Sequence, residues 1–334
     1  MFEFFKRAAL FLIPCLLLTF AGSGCSGRSG RTVGAGAEGR AVIEAVVTFD
    51  ALYELAAAVG GDRVRVTNIM PPGAEAHHFE PGARDLATLN TADVFLICGL
   101  GFDPWARNAA DAAGNIDLSV FEVSDGVGLI MIGEAHDGHD GDGYDGDEHR
   151  SDSDHDHDGG HDGDGGGVDP HIWLSPVCAA QMADNIAAAF SEADPDGAAY
   201  YRGNCDELKE RLNGLFDEYS EKFAALANRT IVTGHAVFMY LCRDFGLTQN
   251  SIEGVFAEGE PSARELARLV DFCRAGSITA ILAERLSSPL VAETLASEAG
   301  ARVMTIYTME SAEDGLSFLE RMERNLAAVY AALQ

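Results

Sequence analysis

Three observations predict an α/β protein of two mainly parallel-sheet lobes joined by a long, rigid α-helix. Residues 41–70 read strand, helix, strand, which is the pattern of a βαβ unit and so of a parallel sheet. The same alternation returns after residue 229 and runs to the end of the chain. Between the two stretches, residues 200–227 place Leu208, Leu212, Leu215, Phe216, Tyr219, Phe223 and Leu226 at helical spacing, long enough for one helix to join two lobes.

Taken in order, the β-branched run 41–49 is a strand, 52–59 a helix and 64–70 a second strand. Residues 84–91 form a short helix, 93–98 a continuous apolar strand closed by Gly99, and 116–123 one more strand. Ser175-Pro176 opens a helical section at 178–190, which restarts at Asp194-Pro195 into the long helix. The second half offers strands at 230–233, 252–255, 280–283 and 302–307, with helices at 237–245, 262–275, 289–299 and 315–333. The division that follows is a first lobe over 41–194, a linker helix over 195–228 and a second lobe over 229–334. No repeat of fixed 20–50-residue period is present.

With 334 residues, 47 % of them hydrophobic, the chain fills ordinary cores and is not a disordered protein. Its net charge of −30 repels phosphate backbones and anionic membrane surfaces and attracts small cations, which excludes nucleic acid as a partner. Much of that charge is local: residues 134–169 hold 14 acidic residues, ten glycines and one arginine. The segment 134–168 has almost nothing to bury, so it is expected to be a disordered surface loop that interrupts the first lobe.

Residues 1–25 read as an export signal, with Lys6 and Arg7 ahead of a 14-residue apolar run too short to span a bilayer comfortably. The run ends in Ala21-Gly-Ser-Gly-Cys25, which resembles a lipoprotein box with Cys25 as the lipidated mature N-terminus. Residues 26–40 are rich in Gly, Ser and Arg, as a flexible tether would be. Beyond the leader, Cys98, Cys178, Cys205, Cys242 and Cys273 are too scattered for a disulfide scaffold. An oxidising compartment admits one or two bridges among them, and no CxxC pair suggests a thiolate metal site.

The histidines carry the functional argument. Six lie in the acidic segment (His136, His139, His149, His155, His157, His161), and a tract of that composition binds metal weakly. Outside it, His77 follows the second strand, His171 sits in Asp169-Pro-His-Ile-Trp-Leu-Ser-Pro176, and His235 ends a strand in Thr233-Gly-His. A single loop histidine is ordinarily a surface or packing residue. Three on strand-to-helix connections of two lobes can converge on one ion, and imidazole suits Zn²⁺.

These strings, AHHFEP, the Asp/His-rich loop, DPHIWLSP, DPDGAAYYRGN and TGHAVFMYLCRDFGL, resemble in order the zinc-uptake class of metal-binding solute-binding lipoproteins of ABC importers. The resemblance runs from about residue 41 to the C-terminus. It implies a metal site in the interlobe cleft with His77, His171 and His235 as ligands, and leaves His78 a non-ligand. Manganese-binding relatives usually place a carboxylate where His235 stands, so the histidine points to zinc. Relatives often add an Asp after the last strand. Here Ile306-Tyr-Thr-Met-Glu-Ser311 puts Met309 at that site with Glu310 beside it, so the fourth ligand is Glu310 or water. Glu75 is a weaker candidate, and Glu284 is expected to support the ligands.

The resemblance implies a monomeric, extracytoplasmic protein, lipid-anchored or periplasmic, that captures Zn²⁺ and passes it to an ABC importer permease. A stand-alone zinc buffer or metallochaperone would use the same ligands, and a manganese-importing relative much the same fold. A zinc hydrolase is the enzyme alternative, since three histidines with an open position also describe catalytic zinc. No HExxH, GxSxG, GKS or GKT motif supports it, and no catalysis is expected.

Overall fold

The computed structural model describes residues 42–74, 79–132, 167–254 and 262–334. The leader with Cys25, the tether, Glu75, His77, His78 and the six loop histidines lie outside the described residues.

The first lobe runs β1 (Ile43–Val47), α1 (Asp50–Gly60), β2 (Val64–Asn68), α2 (Ala83–Leu89), β3 (Val94–Ile97), α3 (Ala106–Ala113) and β4 (Ser119–Glu122). Its strands pair in parallel in the order β2-β1-β3-β4. After a 3-10 turn at Ile172–Leu174 come α4 (Pro176–Ala193) and α5 (Ala198–Ala224). The second lobe runs β5 (Thr230–His235), α6 (Met239–Phe245), β6 (Thr248–Glu253), α7 (Ala263–Ala275), β7 (Ala280–Glu284), α8 (Leu290–Ala299), β8 (Arg302–Ile306) and α9 (Phe318–Ala332). Its sheet, β6-β5-β7-β8, is again parallel.

The local causes are readable. All four residues of β3, Val-Phe-Leu-Ile, are buried, because helices cover both faces of a parallel sheet. Helix α4 opens on Ser175, whose hydroxyl accepts from the Val177 N–H at 3.1 Å, with Pro176 in the first turn where no N–H is needed. Helix α5 spans 27 residues, about 40 Å. It buries Tyr201, Cys205, Leu208, Leu212, Tyr219 and Phe223, and it packs along α4 while touching α1 in one lobe and α9 in the other.

Sequence and structure differ at three places. Helix α3 escaped the pattern because only Ala106 and Ala109 are buried, too thin an apolar stripe to show periodicity. Strand β6 covers 248–253 rather than 252–255: Thr-Gln-Asn-Ser-Ile-Glu is an edge strand, and its polar residues hide the period. All five described cysteines are buried free thiols, so the bridges that export admits are not formed; each packs as a small apolar residue.

The main apolar cluster does not stop at a lobe boundary. It runs from Leu52 and Leu55 on α1 through Val47 and Leu96, then through Phe49, Phe102 and Trp173, and on to Phe238, Leu282, Ile306 and Leu326. The central aromatic rings interlock, with centroids 4.8 Å apart for Phe49 and Phe102, 4.5 Å for Phe49 and Trp173, and 4.7 Å for Phe102 and Trp173. Smaller clusters lie elsewhere in each lobe, around Phe95 in the first and Ile281 in the second.

Strand order also fixes where a ligand can sit. In each sheet the chain turns from one flank to the other between its two central strands, β1 and β3 or β5 and β7, and the crevice beyond their carboxyl ends is the natural binding position. His235 ends β5 and Glu284 ends β7.

Candidate metal centre

His171 is fully buried in the turn that precedes α4. Its backbone N–H donates to Asp169 Oδ1 at 3.0 Å, and its Nδ1 lies 2.8 Å from the same oxygen. A proton shared there sits on Nδ1, which leaves the lone pair on Nε2, the arrangement in which a carboxylate orients a metal-binding imidazole. Asp169 is itself fixed: its N–H donates to the Ile130 carbonyl at 3.0 Å and its carbonyl accepts from Tyr240 Oη–H at 2.7 Å. The aromatic ring of Trp173 lies 5.2 Å from the imidazole and that of Phe102 6.1 Å. Burial drives the His171 pKa down to about 3, so the ring is neutral throughout the physiological range.

His235 comes from the other lobe, and its ring centroid stands 5.6 Å from that of His171, at 80° to it. Its backbone N–H donates to Glu284 Oε1 at 2.9 Å. A Cβ at Gly234 would overlap the Glu284 carboxylate, so a larger residue here would push that carboxylate out of its place. The far side of the turn is held by Gln249, which the sequence reading missed. Its Nε2 donates to Thr233 Oγ1 at 2.7 Å and to the His235 carbonyl at 2.9 Å, while its Oε1 accepts from the Phe238 N–H at 3.1 Å. No motif marks Gln249; only the strand pairing of β5 with β6 brings it there.

Beside His235 opens a cavity of about 430 Å³, also lined by Glu253, Glu310, Ser311, Thr308, Gly73 and Ala74. Met309 is fully buried in the main core, whereas its neighbour Glu310 lines the cavity. Glu253, opposite His235 in the β5–β6 register, is a second carboxylate there that the sequence reading missed. Glu284 lies behind the His235 backbone, in a supporting position. Among the described residues no three His, Cys, Asp or Glu side chains form a metal-holding group. Within them the structure brings His171 to His235, and His235 to Glu310 and Glu253 around the cavity.

Burial raises three carboxyl groups, Asp169, Glu284 and Glu313, to about 7 each. Asp169 is pulled back in part by the hydrogen bond from the His171 N–H, and Glu313 by Arg321. A carboxyl whose folded pKa lies above its unfolded value contributes stability below the unfolded value, and that stability is lost as pH rises through the folded one. His171, lowered instead, loses stability only as pH falls below about 6.5. The three carboxyls outweigh the one imidazole over the upper part of this range. The metal-free protein is therefore expected to melt at a lower temperature at pH 7.5 than at pH 5.5. A thermal scan across that interval checks it, and a flat or rising profile overturns the upward shift of these three buried carboxyls.

Two parallel-sheet lobes bridged by a helix, with imidazoles from both lobes meeting where strands end, define the class of two-lobed proteins that hold a small ligand in a cleft. The chain belongs to the ZnuA family, the periplasmic zinc-uptake complex component A, whose sequence model matches residues 45–332. A protein of Treponema pallidum (strain Nichols) is 41 % identical over 288 residues, 86 % of each chain. The high-affinity zinc uptake system protein ZnuA of Bacillus subtilis (strain 168) is 30 % identical over 335 residues, covering 99 % of this chain and 98 % of that one. Among solved structures, a Zn(II)-bound variant of AdcAII of Streptococcus pneumoniae matches with a TM-score of 0.73 at 28 % identity, over 88 % of this chain and 99 % of that chain.

Proposed function

We propose that this protein is the extracytoplasmic zinc-capturing component of an ABC-type importer. It takes up Zn²⁺ between its lobes and hands it to the importer permease. The observation that carries the reading is the buried, neutral imidazole of His171, oriented by Asp169 and set against His235 of the other lobe. A dry imidazole that stays unprotonated is a ligand that protons do not compete for near neutrality.

The cargo ligands in this reading are His77, His171 and His235, with Glu310 or a water as the fourth. His77 is assigned from its string His77-His-Phe-Glu-Pro81 and Glu310 from its place on the cavity. Imidazoles with one carboxylate suit zinc better than manganese, which prefers oxygen donors. The chain acts as a monomer held at the membrane through a lipid on Cys25. The Asp/His-rich segment with His136, His139, His149, His155, His157 and His161 serves as a weak accessory store, as its composition supports.

The test compares zinc titrations of residues 41–334, the same body without 136–166, and the shortened body with His77, His171 and His235 all changed to Ala. One tight zinc is expected in the first two and none in the third. Loss of tight binding together with the loop would make the protein a histidine-rich buffer instead.

A further inference from the structure

The connection from β8 to α9 is fixed at more points than its length requires. Met309 adopts the left-handed region at φ 60°, a strained conformation for a bulky L residue, and it is fully buried. Its N–H donates to Glu313 Oε2 at 3.0 Å. Its carbonyl accepts from the Ala51 N–H at 3.0 Å, and that of Glu310 accepts from the Asp50 N–H at 3.2 Å. Helix α1 has no side-chain cap, so this turn of the second lobe supplies partners for the opening N–H groups of a helix in the first.

Ser311 adds the next tie. Its carbonyl accepts from Arg321 Nη1 at 2.9 Å, and its hydroxyl accepts from the Gly73 N–H at 2.7 Å. Gly73 follows β2, and both residues line the cavity that also holds Glu310 and His235. The hydroxyl therefore joins two walls of one cavity, one from each lobe. Ser311 is 4 % exposed, so little water reaches the bond to compete for it.

We propose that Ser311 is a positioning residue for the cargo site: by tying the turn to Gly73 it holds the Glu310 carboxylate in the cavity and slows the departure of the bound ion. This rests on the zinc-capture reading given above. In mechanical terms Glu310 then moves with the first lobe, although it follows a strand of the second.

The test is stopped-flow release of Zn²⁺ into excess chelator from the full mature protein, with Ser311→Ala, Ser311→Thr, Glu310→Gln and the Ser311→Ala/Glu310→Gln pair. Ser311→Ala is expected to release about tenfold faster, the effect of one lost hydrogen bond. Ser311→Thr keeps a hydroxyl and is expected to remain within about twofold of the unchanged protein, well short of the loss of a whole hydrogen bond. In the Glu310→Gln background, Ser311→Ala should add little, because its effect passes through that carboxylate. An unchanged rate in Ser311→Ala, the same acceleration in both backgrounds, or a threonine variant as fast as the alanine one overturns the proposal. A wild-type protein that holds no tight zinc overturns the zinc-capture reading and this proposal together, and it is seen before any variant is compared.

Discussion

Changing His171 to Ala is expected to weaken zinc binding by two to three decades. Protein zinc sites of four ligands gather about 10–16 kcal/mol, so one ligand accounts for roughly 3–4 kcal/mol, and each 1.4 kcal/mol is tenfold. The loss should exceed that of an exposed ligand, because His171 reaches the site already desolvated and oriented. Asp169→Asn separates the two contributions. It keeps the shape of the side chain but removes the charge that holds the proton on Nδ1, and its loss should be about 10- to 100-fold. Competition against a chromophoric chelator measures both. Wild-type affinity in His171→Ala would place the tight zinc elsewhere in the molecule.

Arg321→Met is expected to cost about 3–5 kcal/mol of stability, the usual penalty for removing one member of a buried ion group. Arg321 is fully buried on α9; its Nη2 pairs with Asp50 Oδ2 at 2.6 Å across the lobe boundary, and its Nη1 with Glu313 Oε2 at 3.4 Å. Without it, two carboxyls remain in an apolar setting and Ser311 loses its carbonyl partner. For a protein of this size the melting temperature should fall by on the order of 10 °C. Adding Asp50→Asn and Glu313→Gln to Arg321→Met should recover part of the loss, since the penalty lies in the stranded charges rather than in the missing pair. A single variant as stable as wild type would show that the group does not join the lobes energetically.

The sequence made some of this legible and hid the rest for physical reasons. Strands such as β1 and β3 declare themselves because both faces are largely buried and every side chain but Glu44 is apolar. The edge strand β6 and the alanine-rich α3 bury too little for periodicity to register. His171 and His235 stood out because the chain uses histidine so sparingly outside its acidic segment. Asp169 was visible as part of a string, yet its hold on Nδ1 needed coordinates. Gln249, Glu253 and Ser311 were not legible: each is an ordinary polar residue whose role comes from a partner 14 to 238 positions away. The buried ion group was hidden likewise, since Asp50 and Arg321 are 271 residues apart.

The apolar cluster shared by both lobes bears on how the bound ion can leave. A rotation wide enough to part the lobes would split that cluster, pull Trp173 from the Thr308 carbonyl that its Nε1 reaches at 2.7 Å, and separate the buried Arg321–Asp50 pair. Wetting one large aromatic side chain of roughly 200 Å² costs about 5 kcal/mol at about 25 cal/mol per Å², and breaking a buried ion pair about 3–5 kcal/mol more. A gaping form therefore lies on the order of 10 kcal/mol up and is populated by about one molecule in ten million. Thermal motion alone would visit such a form too seldom to supply a transporter. Departure of the ion has to follow from small displacements of the turns around it, or from a partner whose own binding energy is spent on prising them apart.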